Sequence, residues 1–359
     1  MASVWTNRLS VSIFGEAQGP AIGVTIDNLP PGEFIEVEKL HRFMERRTPG
    51  IHEGGDFVQL MSGIMNDRTT GSPLCAFIQN THVETPDFSQ LNRLPRPGHA
   101  DYTGTLRYRG FNDIRDGGHF SDRLTAPLCF AGAVCGQILE RRGIYVGAHA
   151  LEIHGIRDKA FDYVNVEKAD ILAVRERAFP VIDFDKGTEM LADIRAAADG
   201  GESLGGIIEC AAVNVPAGIG SPIFDGLENT IAQLLFGIPG VRGLEFGAGF
   251  EAAKMVGSQH NDSFYVNEHG HIRTTTNHHG GILGGISSGM PIILRAAIKP
   301  TPAIGTPQTT VNMSTLQSEK LEVENSAESC IVPRAVPCIE AAVNIALLSH
   351  MMDYPHFNA

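Results

Sequence analysis

One gapless internal repeat constrains this chain more than any other feature. "GEAQGPAIGVTIDNLPPG" (15–32) aligns with "GESLGGIIECAAVNVPAG" (201–218), matching Gly15 to Gly201, Glu16 to Glu202, Asn28 to Asn214 and Gly32 to Gly218. Each copy reads as a Gly-Glu turn, an apolar strand and an Asn-Pro stop. The repeat implies two related halves in one compact domain spanning residues 1–359. Apolar spacing predicts strands over 22–29, 207–215, 241–246 and 292–298, and helices over 37–47, 121–143, 188–198, 224–236 and about 336–352. Ser121 is the expected N-cap and Gly143 the stop of the second helix. Sheets covered by helices follow, in an α+β or α/β arrangement.

Charge and composition narrow the function. The net charge is −13, which argues against a general nucleic-acid binder. Arginines number 21 against 7 lysines, and six of them (Arg93, Arg96, Arg107, Arg109, Arg115, Arg123) crowd one stretch without a lysine. Arginine is the better fork for phosphate and carboxylate. Asp101, Asp113, Asp116 and Asp122 are interleaved, so the cluster reads either as an anion-focusing pocket or as a set of ion pairs. The six cysteines are scattered among apolar neighbours and read as buried free thiols. The apolar runs are broken by Gly, Pro or charge short of a membrane span, and the N-terminal stretch lacks a signal-peptide core, so the expectation is a cytoplasmic protein.

Four stretches can carry chemistry. "RPGHADYTG" (96–104) sets His99 between Arg96 and Asp101, an arrangement suited to a general acid or base. "DGGHFSDRLT" (116–125) joins a Gly pair to a helix start, where backbone N–H groups suit an anion, although the spacing is not that of a P-loop. "TNHHGGILGGISSGMP" (276–291), followed by "RAAIKPTP" (295–302), carries two Gly pairs that suit backbone lying against a planar or extended ligand. There Asn277 and Lys299 are candidate contacts to ring edges or phosphate, whereas the adjacent His278 and His279 make a poor metal pair, and no metal is expected. "ENSAESCIVPRAVPCIEAA" (324–342) brackets Arg334 with prolines and offers Glu328 as a carboxylate.

In this order these stretches resemble the chorismate synthase family, from Phe14 to about Asp353, through "IGVTIDNLPPG", "RPGHADYTG", "NVPAGIGSPIFD", "GSQHNDSF", "GGILGGISSGMPI", "KPTP" and "CIVPRAVP". Each motif is weak alone, but the set is specific. The resemblance implies an α+β fold, a β-α-β sandwich with internal pseudo-symmetry, assembled as a homotetramer. It implies 1,4-elimination of phosphate from 5-enolpyruvylshikimate 3-phosphate to give chorismate. It also implies reduced FMN as cofactor, with NAD(P)H or a separate flavin reductase as the source of electrons. By resemblance His99 is catalytic, and Arg47, Arg123 and Arg334 bind substrate. The flavin positions are His119, Phe120, Ser121, Pro239, Gly240, Asn277, Gly284, Lys299, Pro300, Thr301, Pro302, Ala303 and Ser326.

The departures from the family pattern cluster at the same places. "GEAQG" stands where the family writes "GESHG", so Ala17 and Gln18 replace a Ser-His pair. "NSAESC" replaces "GRHDPC", which puts Ser326, Ala327 and Glu328 where Arg, His and Asp are usual. Asp122 stands at a position normally Ala or Gly. Gln18 and Glu328 are therefore carried as altered catalytic positions. Two readings follow: a working chorismate synthase, or a catalytically impaired or repurposed homologue that still binds FMN or a related anion.

Overall fold

A computed structural model describes residues 3–47, 56–80, 90–323 and 328–354. Two five-stranded antiparallel sheets enclose a layer of helices. The first sheet runs, edge to edge, Val4–Thr6, Ser10–Gly15, Ala21–Asp27, Leu74–Gln79 and Val58–Ser62. The second runs Ile156–Arg157, Tyr145–Ile153, Gly206–Val213, Ile292–Ile298 and Val241–Phe246. Helices α1 (Val37–Glu45), α2 (Asp101–Tyr108), α3 (Thr125–Arg141), α4 (Lys168–Arg175), α5 (Phe184–Asp199), α6 (Leu227–Leu235), α7 (Gly257–His260) and α8 (Val332–Met351) follow in chain order. The class is α+β.

The two sheets have the same plan. In each, the strand that carries the repeat lies third of five, and a helix follows it (α1 or α6). In each, a long helix (α3 or α8) follows the later strands. Asn28 and Asn214 end the two repeat strands at φ +65° and +61°, the left-handed conformation that Asn tolerates. This turn ends the first repeat strand at Asp27, short of the predicted residue 29.

The two long helices meet face to face between the sheets, α3 against the first and α8 against the second. Both are apolar around most of their circumference, as burial from both sides requires. Close approach depends on Gly132: a Cβ there would lie 2.2 Å from the Cα of Ala341. Helix α8 starts at Val332 rather than near residue 336, because Pro333 falls in its first turn, where no N–H donor is needed. At 20 residues α8 is long and apolar enough for a membrane span, contrary to the reading of the sequence. In the fold it is an interior helix, buried along most of its length. The first turn before α3 is 3-10, with Ser121 as its N-cap, and Gly143 at φ +79° follows the end of α3. The predicted helix over 224–236 resolves into a 3-10 turn at Ile223–Asp225 and then α6. The helix predicted over 188–198 is longer, because Asp183 caps its N-terminus through a bond from the Asp185 N–H.

Candidate active site

Several chain segments meet at one end of the sandwich, and the contacts between them form a ring. His99 stands just before α2. Asp101, the first residue of that helix and only 4% exposed, holds both His99 and Arg96. Its carboxylate accepts Nε of Arg96 at 2.7 Å, Nη2 at 2.8 Å and the backbone N–H of Arg96 at 3.0 Å. His99 Nδ1 lies 2.5 Å from the same carboxylate, which leaves Nε2, 3.5 Å from Arg96 Nη2, as the other ring nitrogen. Burial pushes the Asp101 carboxyl up, but the bonds from Arg96 and His99 outweigh it and hold it well below the usual carboxylate range. The ring of His99 packs on Gly117, where a Cβ would sit 3.1 Å from Nε2.

The turn carrying Gly117 is unusual. Asp116, Gly117 and Gly118 are all left-handed, at φ +49°, +82° and +54°. The Ala17 N–H donates to the Gly118 carbonyl at 3.1 Å, which stitches the "GEAQG" loop to this turn. Gln18 follows Ala17 in that loop, and its Oε1 is buried without a partner. Burial, with the nearby Asp122, raises the Asp116 pKa against the opposing pull of Arg96, Gln18 and His99.

The next three positions serve the fold through their side chains. His119 Nδ1 donates to the Gly15 carbonyl at 2.8 Å, and its Nε2 lies 2.5 Å from Ser3 Oγ. Phe120 fills the space above Gly104, beside Tyr108 at a ring distance of 6.2 Å. Ser121 Oγ accepts the Arg123 N–H at 3.3 Å.

An arginine layer completes the ring. Arg47, 2% exposed, donates to Thr125 Oγ1 at 2.8 Å, to the Asp122 carbonyl at 3.1 Å and to Asp56 at 3.0 Å. Arg123 pairs with the other oxygen of Asp56 and faces Asn80 Oδ1 at 3.3 Å. Asn80 Nδ2 donates back to the carbonyls of Ala17 (3.0 Å) and Gly19 (2.8 Å). Arg334 donates to the Arg47 carbonyl at 3.1 Å and to Glu328 at 2.7 Å. The Glu328 carbonyl accepts from Thr301 Oγ1 at 2.9 Å, and Lys299 Nζ donates to the Gly98 carbonyl beside His99. The Lys299 N–H donates to the carbonyl of Gly240 at 2.9 Å, which brings Pro239 and Gly240 beside the 299–303 loop. Burial and the charge of Arg242 lower the Lys299 pKa.

The structure thus gathers His99, Gln18, Glu328, Arg47, Arg123, Arg334, Lys299, Pro300, Thr301, Pro302 and Ala303 around one site. It does not bring Asn277 and Gly284 there. Asn277 Nδ2 is spent on the carbonyls of Tyr163 and Pro291, both at 2.8 Å, and its Oδ1 accepts the Gly281 N–H at 2.9 Å. It flanks the start of strand Ile292–Ile298, and Lys299 follows the far end, about 20 Å away at the usual rise per residue. Asn277 is therefore a satisfied structural amide, and a flavin contact by its side chain within this chain is set aside. His278 and His279 both reach Asp262, at 2.9 and 3.5 Å, and no cluster of three or more metal-ligating side chains occurs among the described residues. Ser326 and Ala327 lie outside the described residues. Sequence reasoning missed Asp56 and Asn80 as site residues, because neither belongs to a motif and the flanking strands Val58–Ser62 and Leu74–Gln79 were not recognised. A cavity of about 1020 Å³ lies along α1, α3 and α8 and meets the ring at Asp56.

The chain matches the family model "Chorismate synthase" over residues 9–352. It belongs to the chorismate synthase family. It is 42% identical to the chorismate synthase of Korarchaeum cryptofilum, over 97% of each chain. The Thermococcus kodakarensis chorismate synthase is 40% identical over 96% of each. A crystal structure of a chorismate synthase superposes with a TM-score of 0.77 at 27% identity, covering 97% of this chain and 93% of the other. Chorismate synthases use reduced FMN, and one observation fits such a group: the positive charge of Arg242 acts on Lys299, which places cationic charge at the 299–303 loop where an anionic phosphate would sit.

Proposed function

We propose that the ring from His99 to Arg334 is the active site at which this chorismate synthase eliminates phosphate. The enzyme is a carbon–oxygen lyase of the shikimate pathway that converts 5-enolpyruvylshikimate 3-phosphate into chorismate by 1,4-anti elimination. The substrate carries one phosphate and two carboxylates. Arg47, Arg123 and Arg334 are the forks that bind these anions, displacing the Asp56 and Glu328 carboxylates that now satisfy them. His99 donates its Nε2 proton to the departing phosphate, and Asp101 fixes the ring and stabilises the imidazolium form. Reduced flavin held beside the substrate would provide the electron-rich chemistry that the elimination needs. Lys299, Pro300, Thr301, Pro302, Ala303, Pro239 and Gly240 form its cradle, with backbone contacts from His119, Phe120 and Ser121. Gln18 accepts a hydrogen bond and moves no proton near neutral pH.

The observation that carries this reading is the ring itself, in which residues from distant segments of the chain converge. It favours a working enzyme over an impaired homologue. We further propose one domain of two related halves, supported by the shared sheet plan. A cytoplasmic homotetramer is proposed too, supported by exposed Phe111 (91%) and Phe224 (91%) as surface for subunit contact. Electrons reach FMN from NAD(P)H, directly or through a separate reductase, and NAD(P)H consumption by the purified protein with FMN distinguishes the two. The activity is tested anaerobically with 5-enolpyruvylshikimate 3-phosphate and chemically reduced FMN. Chorismate release is expected; flavin binding without turnover would overturn the working-enzyme reading.

A further inference from the structure

Two thiols that the reaction does not use face each other where the central helices meet. Cys129 lies on α3 and Cys338 on α8, and the Cys129 S–H donates to the Cys338 sulfur at 3.6 Å. The Cys338 S–H donates in turn to the Arg334 carbonyl at 3.4 Å. Both residues are buried free cysteines. The bond from Cys129 lowers the Cys338 pKa, burial opposes it, and the charge of Arg47 adds to the lowering. The cavity along α3 and α8 comes close to the pair. Its lining includes Ala133, one turn beyond Cys129, and Pro337, next to Cys338. A small uncharged oxidant has a route to the thiols there.

The pair stands one helical turn behind the groups that hold the arginines. Thr125, four residues before Cys129, accepts from Arg47 Nε at 2.8 Å. Arg334, four residues before Cys338, donates to the Arg47 carbonyl at 3.1 Å and to Glu328 at 2.7 Å. Residues four apart on a helix share a face, so the spacing of the two sulfurs is coupled to that of Thr125 and Arg334. A disulfide is about 2.05 Å long, so closing one brings the sulfurs about 1.5 Å nearer. Close-packed helices transmit such a shift. A misplacement of about 1 Å at a functional group can cost on the order of a hundredfold.

We propose that Cys129 and Cys338 are a redox modification site, which closes to an interhelical disulfide and loosens the grip of Arg47 and Arg334 on an anionic substrate. Hydrogen peroxide is the oxidant. The Cys338 thiolate attacks one peroxide oxygen and the O–O bond breaks. Cys338 becomes a sulfenic acid, and the released hydroxide takes up the thiol proton and leaves as water. The Cys129 sulfur then attacks the Cys338 sulfur and the S–O bond breaks. The hydroxyl leaves with the Cys129 proton as a second water. In all, two thiols give up two electrons and two protons, and one peroxide is reduced to two waters. Formation of the disulfide is independent of the reaction proposed above, whereas its effect on affinity rests on Arg47 and Arg334 being substrate-binding.

To test this, the full chain is treated with hydrogen peroxide, the peroxide is removed, and free thiols are alkylated before digestion and mass spectrometry. A peptide pair joined through Cys129 and Cys338 is expected, and dithiothreitol should abolish it. Cys135, on the same helix but with its pKa pushed up by burial, should stay alkylated as a free thiol. Calorimetry in the presence of oxidised FMN then reads binding of 5-enolpyruvylshikimate 3-phosphate. Oxidation should weaken it about tenfold, and dithiothreitol should restore it. Cys129→Ala and Cys338→Ala, made separately, should stay within about threefold of reduced wild type before and after peroxide, since neither can form the bond. Absence of the joined peptide, pairing through other cysteines, or a joined protein that binds substrate as tightly as the reduced one would each overturn the proposal. If reduced wild type binds no substrate, the reading of the two arginines falls and the effect on affinity with it, while the mass spectrum decides the disulfide on its own. Melting temperatures of both variants check that the fold is intact.

Discussion

Asp101→Asn tests the centre of the site. The wild-type carboxylate takes one bond from His99 and three from Arg96, and the Arg96–Asp101 pair is almost fully enclosed, at 9% and 3% side-chain exposure. Asn has the same shape but one accepting oxygen and no charge. Arg96 then keeps a buried, uncompensated guanidinium, and removing one partner of such a pair costs about 3–5 kcal/mol. That is a large part of a typical total stability of about 5–15 kcal/mol. Activity falls separately, because His99 loses the anion that orients its ring and balances its charge; loss of general-acid function costs about 10²–10⁴ in kcat. The sign with pH follows from the depressed carboxyl. Its stabilisation is complete above the unfolded carboxyl pKa of about 4 and is lost as pH falls through the lower folded value. The stability gap between wild type and Asp101→Asn should therefore be widest near neutral pH and close in acid. Urea unfolding across that pH range and single-turnover chorismate formation at neutral pH measure the two effects. A kcat within threefold of wild type, or a gap that does not shrink in acid, refutes this account of Asp101.

Three further outcomes follow from the same contacts. Arg47→Met strands Asp56 with one partner and should raise the KM for substrate by more than about tenfold, and Arg47→Lys should not restore it, because a single ammonium cannot reach Thr125, Asp56 and the Asp122 carbonyl together. Gln18→His combined with Glu328→Asp should raise chorismate release in the anaerobic assay; no rise would remove the role assigned to these two departures. In the second sheet, fully buried His149 lies 3.2 Å from Asp158 and 3.1 Å from Glu209. Burial pulls its pKa down, but the two carboxylates outweigh that and raise it. Its contribution is then full below the unfolded histidine value of about 6.5 and is lost as pH rises through the folded value. Melting temperature should fall on the alkaline side in wild type and less steeply in His149→Gln.

Much of the fold was legible because its signals are local. Apolar spacing on one face marked α1, the repeat marked the third strand of each sheet, and Ser121 and Gly143 marked the ends of the helix that contains α3. Strands Leu74–Gln79 and Tyr145–Ile153 escaped, because runs of apolar residues without polar alternation in the sequence do not announce their period. At the site, motif order named the His99 loop, the arginines and the 299–303 loop. It also gathered Asn277 and Gly284, whose glycine-rich surroundings reflect tight turns at the opposite end of a strand.

The sequence by itself determined which chemistry this chain can hold: the family, the class of fold, a histidine beside a carboxylate, and guanidinium groups for an anionic substrate. It also exposed the substitution of glutamine for a proton-bearing side chain at position 18. Only the tertiary structure decided that Asp56 bridges Arg47 and Arg123, and that Asn80 ties them to the "GEAQG" loop. These residues lie far apart in the chain or in stretches with no recognisable pattern. Their pairing depends on how two sheets close over α3 and α8, and local spacing carries no information about contacts made across that layer.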